Sequence, residues 1–206
     1  SDVNANQSKL TLGSSNSLTK TKGHLSELRV GINPSTPDKG GAGGMVVVRN
    51  GEFSVDTLKN GTAGQDANYN GIEIGSETDR ETTLNVLTYE SYDCGSLVNY
   101  GNFNVDSITS SNSGNRIDNR NVLTAKSAVF TGVMTNSGNA KIGSLTLNSS
   151  GSVNNINSTL TVDNFYLEGD SRDGNYRGGL KNLGNLTISA RGGTAGDFEN
   201  AQGGTV

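Results

Sequence analysis

Apolar residues along this chain recur in pairs two positions apart, set in otherwise polar sequence. Phe103/Val105, Ala140/Ile142, Leu160/Val162 and Leu186/Ile188 are such pairs. Side chains two apart on a strand point to one face, so each pair predicts a short strand with one buried side. Three residues beyond three of these pairs come Ile108, Leu145 and Phe165, and Leu147 and Leu167 continue that second run. An odd step reverses the face of a straight strand, so the chain must turn a corner there before a second inward-facing strand begins.

The pairs are preceded by asparagines, and Asn99, Asn136, Asn155 and Asn182 define one frame of the form apolar-x-Asn followed by the pair. Asn200 opens a further copy. A weaker copy, "IDNRNVLTAKS" from Ile117, divides the longest gap, and "VVRNGEFSVDTLK" carries the frame back to Asn50. Between Asn50 and Asn99 the frame is hard to follow, with "GIEIGS" and "TTLNVLTY" as the strand candidates. A period near 20 residues holding about three short strands is the length of one solenoid coil. The expected fold is therefore all-β, a right-handed parallel β-helix of about ten coils, roughly 50 Å long at the spacing of stacked strands. Asparagine suits a corner of such a coil for two reasons. It tolerates the left-handed backbone region, and stacked amides can bond one another along the axis.

Composition supports this reading. Only 31% of residues are hydrophobic and 29 are glycine, too little apolar bulk for a thick helical core. Frequent Gly, Thr, Val, Asn and Ser disfavour helix throughout. Residues 1–44 are read as N-terminal coils or a cap with a Gly/Pro-rich loop, and residues 45–206 as β-helix repeats in one continuous solenoid. The loops Thr36–Gly44 and Gly61–Asn70 are where a binding surface would depart from a plain rod.

Charge and single residues exclude several function classes. The net charge is −4 and the 16 Lys and Arg are spread along the chain, which argues against a nucleic-acid partner. No apolar run is long enough for a transmembrane helix, and "SDVNANQ" lacks the features of a signal peptide, so any export signal is expected to have been removed. Cys94 is the only cysteine, which excludes an internal disulfide and a cysteine-built zinc site; it is expected to be a small buried hydrophobe.

No catalytic or cofactor-binding residue is expected. A Ser-His-Asp site would need His24, the sole histidine, and no G-x-S-x-G elbow occurs. "GDSRDG" at Gly169 has the composition of a solvent loop. Asp56, Asp106 and Asp163 align between repeats, but Gly143 fills the same place, as expected of solvated corner residues rather than paired catalytic acids. One metal pattern stands out. "DANYNGIEIGSE" satisfies the EF-hand calcium spacing, with Asp66, Asn68, Asn70 and Glu77 as oxygen donors and Gly71 at the sharp turn. The flanks are poor helices and Glu73 stands where that loop has an apolar residue, so calcium is a minority expectation against a plain solvated loop.

"NSGNAKIGSLTLNSSGSVNNINSTLTVDNFYL" and "GGLKNLGNLTISARGG" resemble the repeats of autotransporter passengers and of filamentous haemagglutinin-like bacterial adhesins. The likeness is loose from Asn50 and good from Gly95 to Val206. It implies export across the outer membrane, display at the cell surface or secretion, and a role in cell–cell aggregation, biofilm or attachment. Its implied partners are another passenger in self-association, or a host or matrix glycan or protein. The chain stops inside a repeat at Val206, so a fragment of a longer passenger is expected. The alternatives are a polysaccharide-processing β-helix enzyme and an inert stalk presenting a distal domain.

Overall fold

Short strands alternate with long ones along the chain, and each class builds its own parallel sheet. The computed structural model describes residues 2–5, 9–14, 18–32, 43–61, 70–92, 94–148, 150–168, 179–193 and 197–200. The odd strands are β1 (Asp2–Ala5), β3 (Thr21–Val30), β5 (Gly51–Asn60), β7 (Thr83–Ser91), β9 (Asn102–Ser110), β11 (Val122–Phe130), β13 (Asn139–Leu147), β15 (Thr159–Leu167) and β17 (Asn185–Gly193). The even strands are β2 (Lys9–Gly13), β4 (Gly44–Arg49), β6 (Asn70–Ile74), β8 (Ser96–Asn99), β10 (Arg116–Asn119), β12 (Val133–Asn136), β14 (Ser152–Asn155), β16 (Gly179–Asn182) and β18 (Asp197–Asn200). Each set forms one nine-stranded sheet in chain order, with every neighbour parallel in the registers described below.

This is a parallel β-helix. An even strand followed by an odd one makes a coil, so the described residues hold eight complete coils with β1 before them and β18 after. Eight complete coils among the described residues stand against the ten or so that the repeat period led us to expect. Eight steps at the strand spacing make a stack of about 38 Å. The strands of residues 1–44 belong to the same two sheets as the rest.

Each odd strand from β3 to β17 bends in its middle. In β9, Phe103 and Val105 are buried, then Ile108 and Ser110 are, with Asp106 and Ser107 between them only half-buried. Strand pairing skips the bend residue, running from Val105↔Ala125 directly to Ser107↔Ser127. The odd step seen in the sequence is this bend, so every coil has three sides: the even strand and the two arms of the odd one. The interior is correspondingly thin and apolar, a column in which Phe103, Leu123, Leu145, Leu160 and Phe165 are all at most 1% exposed.

The corner asparagines are buried in this column. Asn99, Asn119, Asn136, Asn155 and Asn182 are 0% exposed and lie in direct register. Each donates its Nδ2 to the Oδ1 of the next, at 2.8, 2.7, 2.8 and 2.7 Å. The first four also donate to the backbone carbonyl that opens the odd strand of the following coil, Val122, Asn139, Thr159 and Asn185 in turn. A buried amide is tolerable only when its groups are bonded, and the stack meets that demand by repetition. The backbone reason for asparagine is overturned here. Among the described non-glycine residues only Asn50 (φ 47°) and Asn157 (φ 50°) have positive φ, so the ladder is selected for its amides.

Asn50 does not belong to that frame. Its register place is taken by Val48, which pairs with Ile74, which pairs with Asn99. Asn50 is instead the left-handed residue of the tight corner between β4 and β5, where its Nδ2 donates to the Ser14 carbonyl at 2.7 Å. The early coils carry their buried polar groups at another corner. Asn60, Ser91 and Ser110 end the odd strands in register, at most 2% exposed, and the same place becomes Phe130, Leu147 and Leu167 further on. Polar and apolar stacks thus exchange corners near β8 to β11, which keeps the column from being polar at both.

Tyr89 anchors the early stack. It is fully buried, edge-on to Phe103 with ring centroids 5.9 Å apart, and its hydroxyl accepts from Asn60 Nδ2 at 3.2 Å. Burial pushes its phenol above the ordinary tyrosine value. A raised folded value means the native state holds the proton more tightly than the unfolded chain. Tyr89 therefore contributes stability below the unfolded value near 10, and that contribution is lost as pH rises beyond it. Denaturant midpoints measured from about pH 8 to 11 are expected to fall more steeply for the natural chain than for Tyr89→Phe, and parallel curves would refute this.

Candidate functional site

The calcium pattern divides in the structure. Asp66 and Asn68 lie outside the described residues, whereas Asn70 opens β6 and Glu77 is exposed in the turn after it. Residues 70–74 are extended, paired to β4 and β8, with Ile72 and Ile74 buried in the column. An extended run of that length covers roughly 13 Å, while calcium ligands must close on one centre at about 2.3–2.6 Å. The second half of the pattern therefore does not take EF-hand form, and the Glu73 carboxylate bonds Arg49 instead. Among the described residues no three His, Cys, Asp or Glu side chains are grouped to hold a metal. Gly71 has a reason of its own: its φ is +88°, and a Cβ there would stand 1.8 Å from the Ser96 carbonyl oxygen of the next coil.

Cys94 is exposed, not buried as expected. It lies in a turn closed by a bond from the Gly95 N–H to the Tyr92 carbonyl, at a corner where the chain leaves the column. "GDSRDG" lies outside the described residues.

What the structure assembles is on the outer side of the bend. The last outward residue before the bend is His24, Ser54, Asn85, Asn104, Thr124, Lys141, Thr161 and Thr187 in successive coils, all in direct register. The bend residues form a second row, with Asp56, Leu87, Asp106, Lys126, Gly143 and Asp163 at the unpaired position. Between the two rows, over the first five of those coils, runs a trough of about 430 Å³.

Its ionisable side chains stand in pairs. Lys126 Nζ is 2.7 Å from Asp106 Oδ2, and His24 Nε2 is 3.5 Å from Asp56 Oδ2. His24 Nδ1 is 2.9 Å from Ser54 Oγ, so the one histidine does meet a serine and an aspartate. Asp56 and Asp106 are two coils apart, about 10 Å by strand spacing, and Asp163 is three coils beyond Asp106, so the aligned acids do not converge. Asn104 Nδ2 donates to Asn85 Oδ1 at 2.9 Å, and Leu87 stands 55% exposed between them and the corner.

Another hollow, about 330 Å³, is lined by Arg80, Arg120, Asn121, Asn139, Asn157 and Asn185. Arg120 is engaged there: its guanidinium bonds Asp118 at 2.7 and 2.6 Å and the Tyr100 hydroxyl at 2.6 Å, and lies over the Tyr100 ring. The Asp118 carboxylate holds its pKa above the usual arginine value. No helix among the described residues is long and apolar enough to cross a membrane. Comparison with known proteins finds no matching family model, no matching curated protein and no matching solved structure.

Sequence reasoning missed the trough because its rows are outward residues of differing type. The available signal was the position between the two inward apolar residues of each pair, which is Ser54, Asn85, Asn104, Thr124, Thr161 and Thr187 and never apolar.

Proposed function

We propose that this chain is a non-enzymatic, adhesive segment of a secreted or surface-displayed bacterial protein, exported across the outer membrane. It mediates aggregation, biofilm growth or attachment to a host or matrix ligand through its polar outer face. The observation that carries this reading is the outward row from His24 to Thr187, polar in eight consecutive coils and in direct register. Such an array offers hydroxyl and amide groups at the strand spacing, so affinity grows by repetition instead of by one deep pocket. The repeat resemblance supports the same reading. Against cleavage, Asp56 and Asp106 each face a basic side chain, His24 and Lys126 respectively, and neither shares a site with another acid.

Display on a non-adherent bacterial host tests it. Displaying cells are expected to clump, or to hold to surfaces coated with extracellular polysaccharide or matrix protein, without releasing reducing ends from the polysaccharide. Cells that neither clump nor attach would leave the inert stalk as the better account, and reducing-end release would establish the enzyme.

A further inference from the structure

We infer that the trough along the bend is a binding site for an uncharged, linear polysaccharide lying parallel to the stack. The inference rests on the adhesive reading and names the ligand class of that face. Four coil steps separate His24 from Thr124, so the trough runs for about 19 Å and admits several sugar residues in a row.

Three features select this ligand. The first is charge. Lys126, the one lysine or arginine lining the trough, already faces Asp106, and the His24 ring faces Asp56, so no unpaired cation stands there to attract a sulfated or carboxylated sugar. The second is the pairing of group types. Amides at Asn85 and Asn104 both donate and accept, the Thr124 hydroxyl does likewise, and the carboxylates accept, which suits sugar hydroxyls that do both. The third is Leu87. An apolar side chain 55% exposed in the middle of a polar row gives the C–H face of a sugar ring a surface to cover, and covering it is favourable in water.

A peptide strand is a poorer occupant. β5, β7 and β9 are each paired on both edges except at the single bend residue, so the trough offers no continuous strand edge for a peptide to join.

Affinity electrophoresis of the purified chain through gels carrying β-glucan, xylan, galactomannan or dextran tests the inference, with heparin as the anionic comparison. Retardation is expected with at least one neutral polymer and is expected to persist at about 0.5 M salt, where surface charge is screened. The double substitution Leu87→Ala with Asn104→Ala should weaken that retardation by about tenfold or more. Thr161→Ala, in the same row but beyond the trough, should leave it unchanged. Circular dichroism melting confirms that all variants fold. Retardation by none of the four neutral polymers, or by heparin alone, overturns the inference. Retardation that the double variant leaves intact also overturns it, while the adhesive reading stands or falls separately on the attachment of displaying cells. Displaying cells that clump through the trough face, with no polymer bound, would make a second copy of the chain the occupant instead.

Discussion

Asn136→Ala is expected to destabilise the chain by about 3–5 kcal/mol, read as a fall in the urea midpoint. Asn136 sits mid-ladder, accepting from Asn119 at 2.7 Å and donating to Asn155 Oδ1 at 2.8 Å and the Thr159 carbonyl at 3.0 Å. Alanine takes their partner from one Asn119 N–H and from the Thr159 carbonyl in a place with no solvent exposure, while Asn155 Oδ1 keeps a bond from Ser158 Oγ at 2.7 Å, and each unmet buried group costs roughly 1–3 kcal/mol. Volume alone does not account for the loss. Asn136→Leu restores bulk of the kind that Val48 and Ile74 supply at the same register place, yet leaves the same partners unmet, so it should retain most of the cost. Asn136→Asp should be at least as damaging, because a carboxylate accepts from Asn119 but sets its own oxygen against Asn155 Oδ1 and brings a charge into the column. If Asn136→Leu were as stable as the natural chain, the ladder would be packing and nothing more.

The ladder was legible because its period is imposed from outside. Coils must stack in register, so a buried amide in one coil demands a partner in the next, and Asn99, Asn136, Asn155 and Asn182 recur accordingly. The bend was legible for a related reason: inward side chains on both arms force the three-residue step from Val105 to Ile108. The early coils hid from the same reading because their ladder place is filled by Val48 and Ile74, which look like any other strand residues. Asn50 was drawn into the frame by its type, although it bonds Ser14 at a corner rather than a neighbouring amide. The trough was not legible, since nothing inside the fold constrains outward residues and their meeting depends on which coils stack. The calcium spacing is ambiguous for the converse reason. A solenoid corner also needs Gly, Asn and Asp at close intervals, and a local pattern does not distinguish a loop that wraps an ion from a loop that enters a strand.

Gly71 separates those two meanings, and Gly71→Ala is expected to cost about 3 kcal/mol or more. A calcium loop needs glycine at this place for its own sharp turn, so the cost of a side chain would then be tied to the ion. The stack needs it for two reasons independent of any ion. Its φ of +88° is one that side chains rarely adopt, and a Cβ would lie 1.8 Å from the Ser96 oxygen and 2.8 Å from its carbon. Those atoms are backbone of β8, paired in turn to β10, so relief requires β6 to move away from the sheet it belongs to. The loss should therefore be the same in chelator and in about 1 mM calcium, a concentration that fills extracellular-type sites. Calcium should leave the natural chain's melting temperature unmoved as well, because a ligand that stabilises must bind the folded state, and Asn70 and Glu77 stand at opposite ends of an extended strand and its turn. A calcium-dependent rise in melting temperature that Glu77→Gln abolishes would reverse this conclusion and restore Asp66, Asn68, Asn70 and Glu77 as a ligand set.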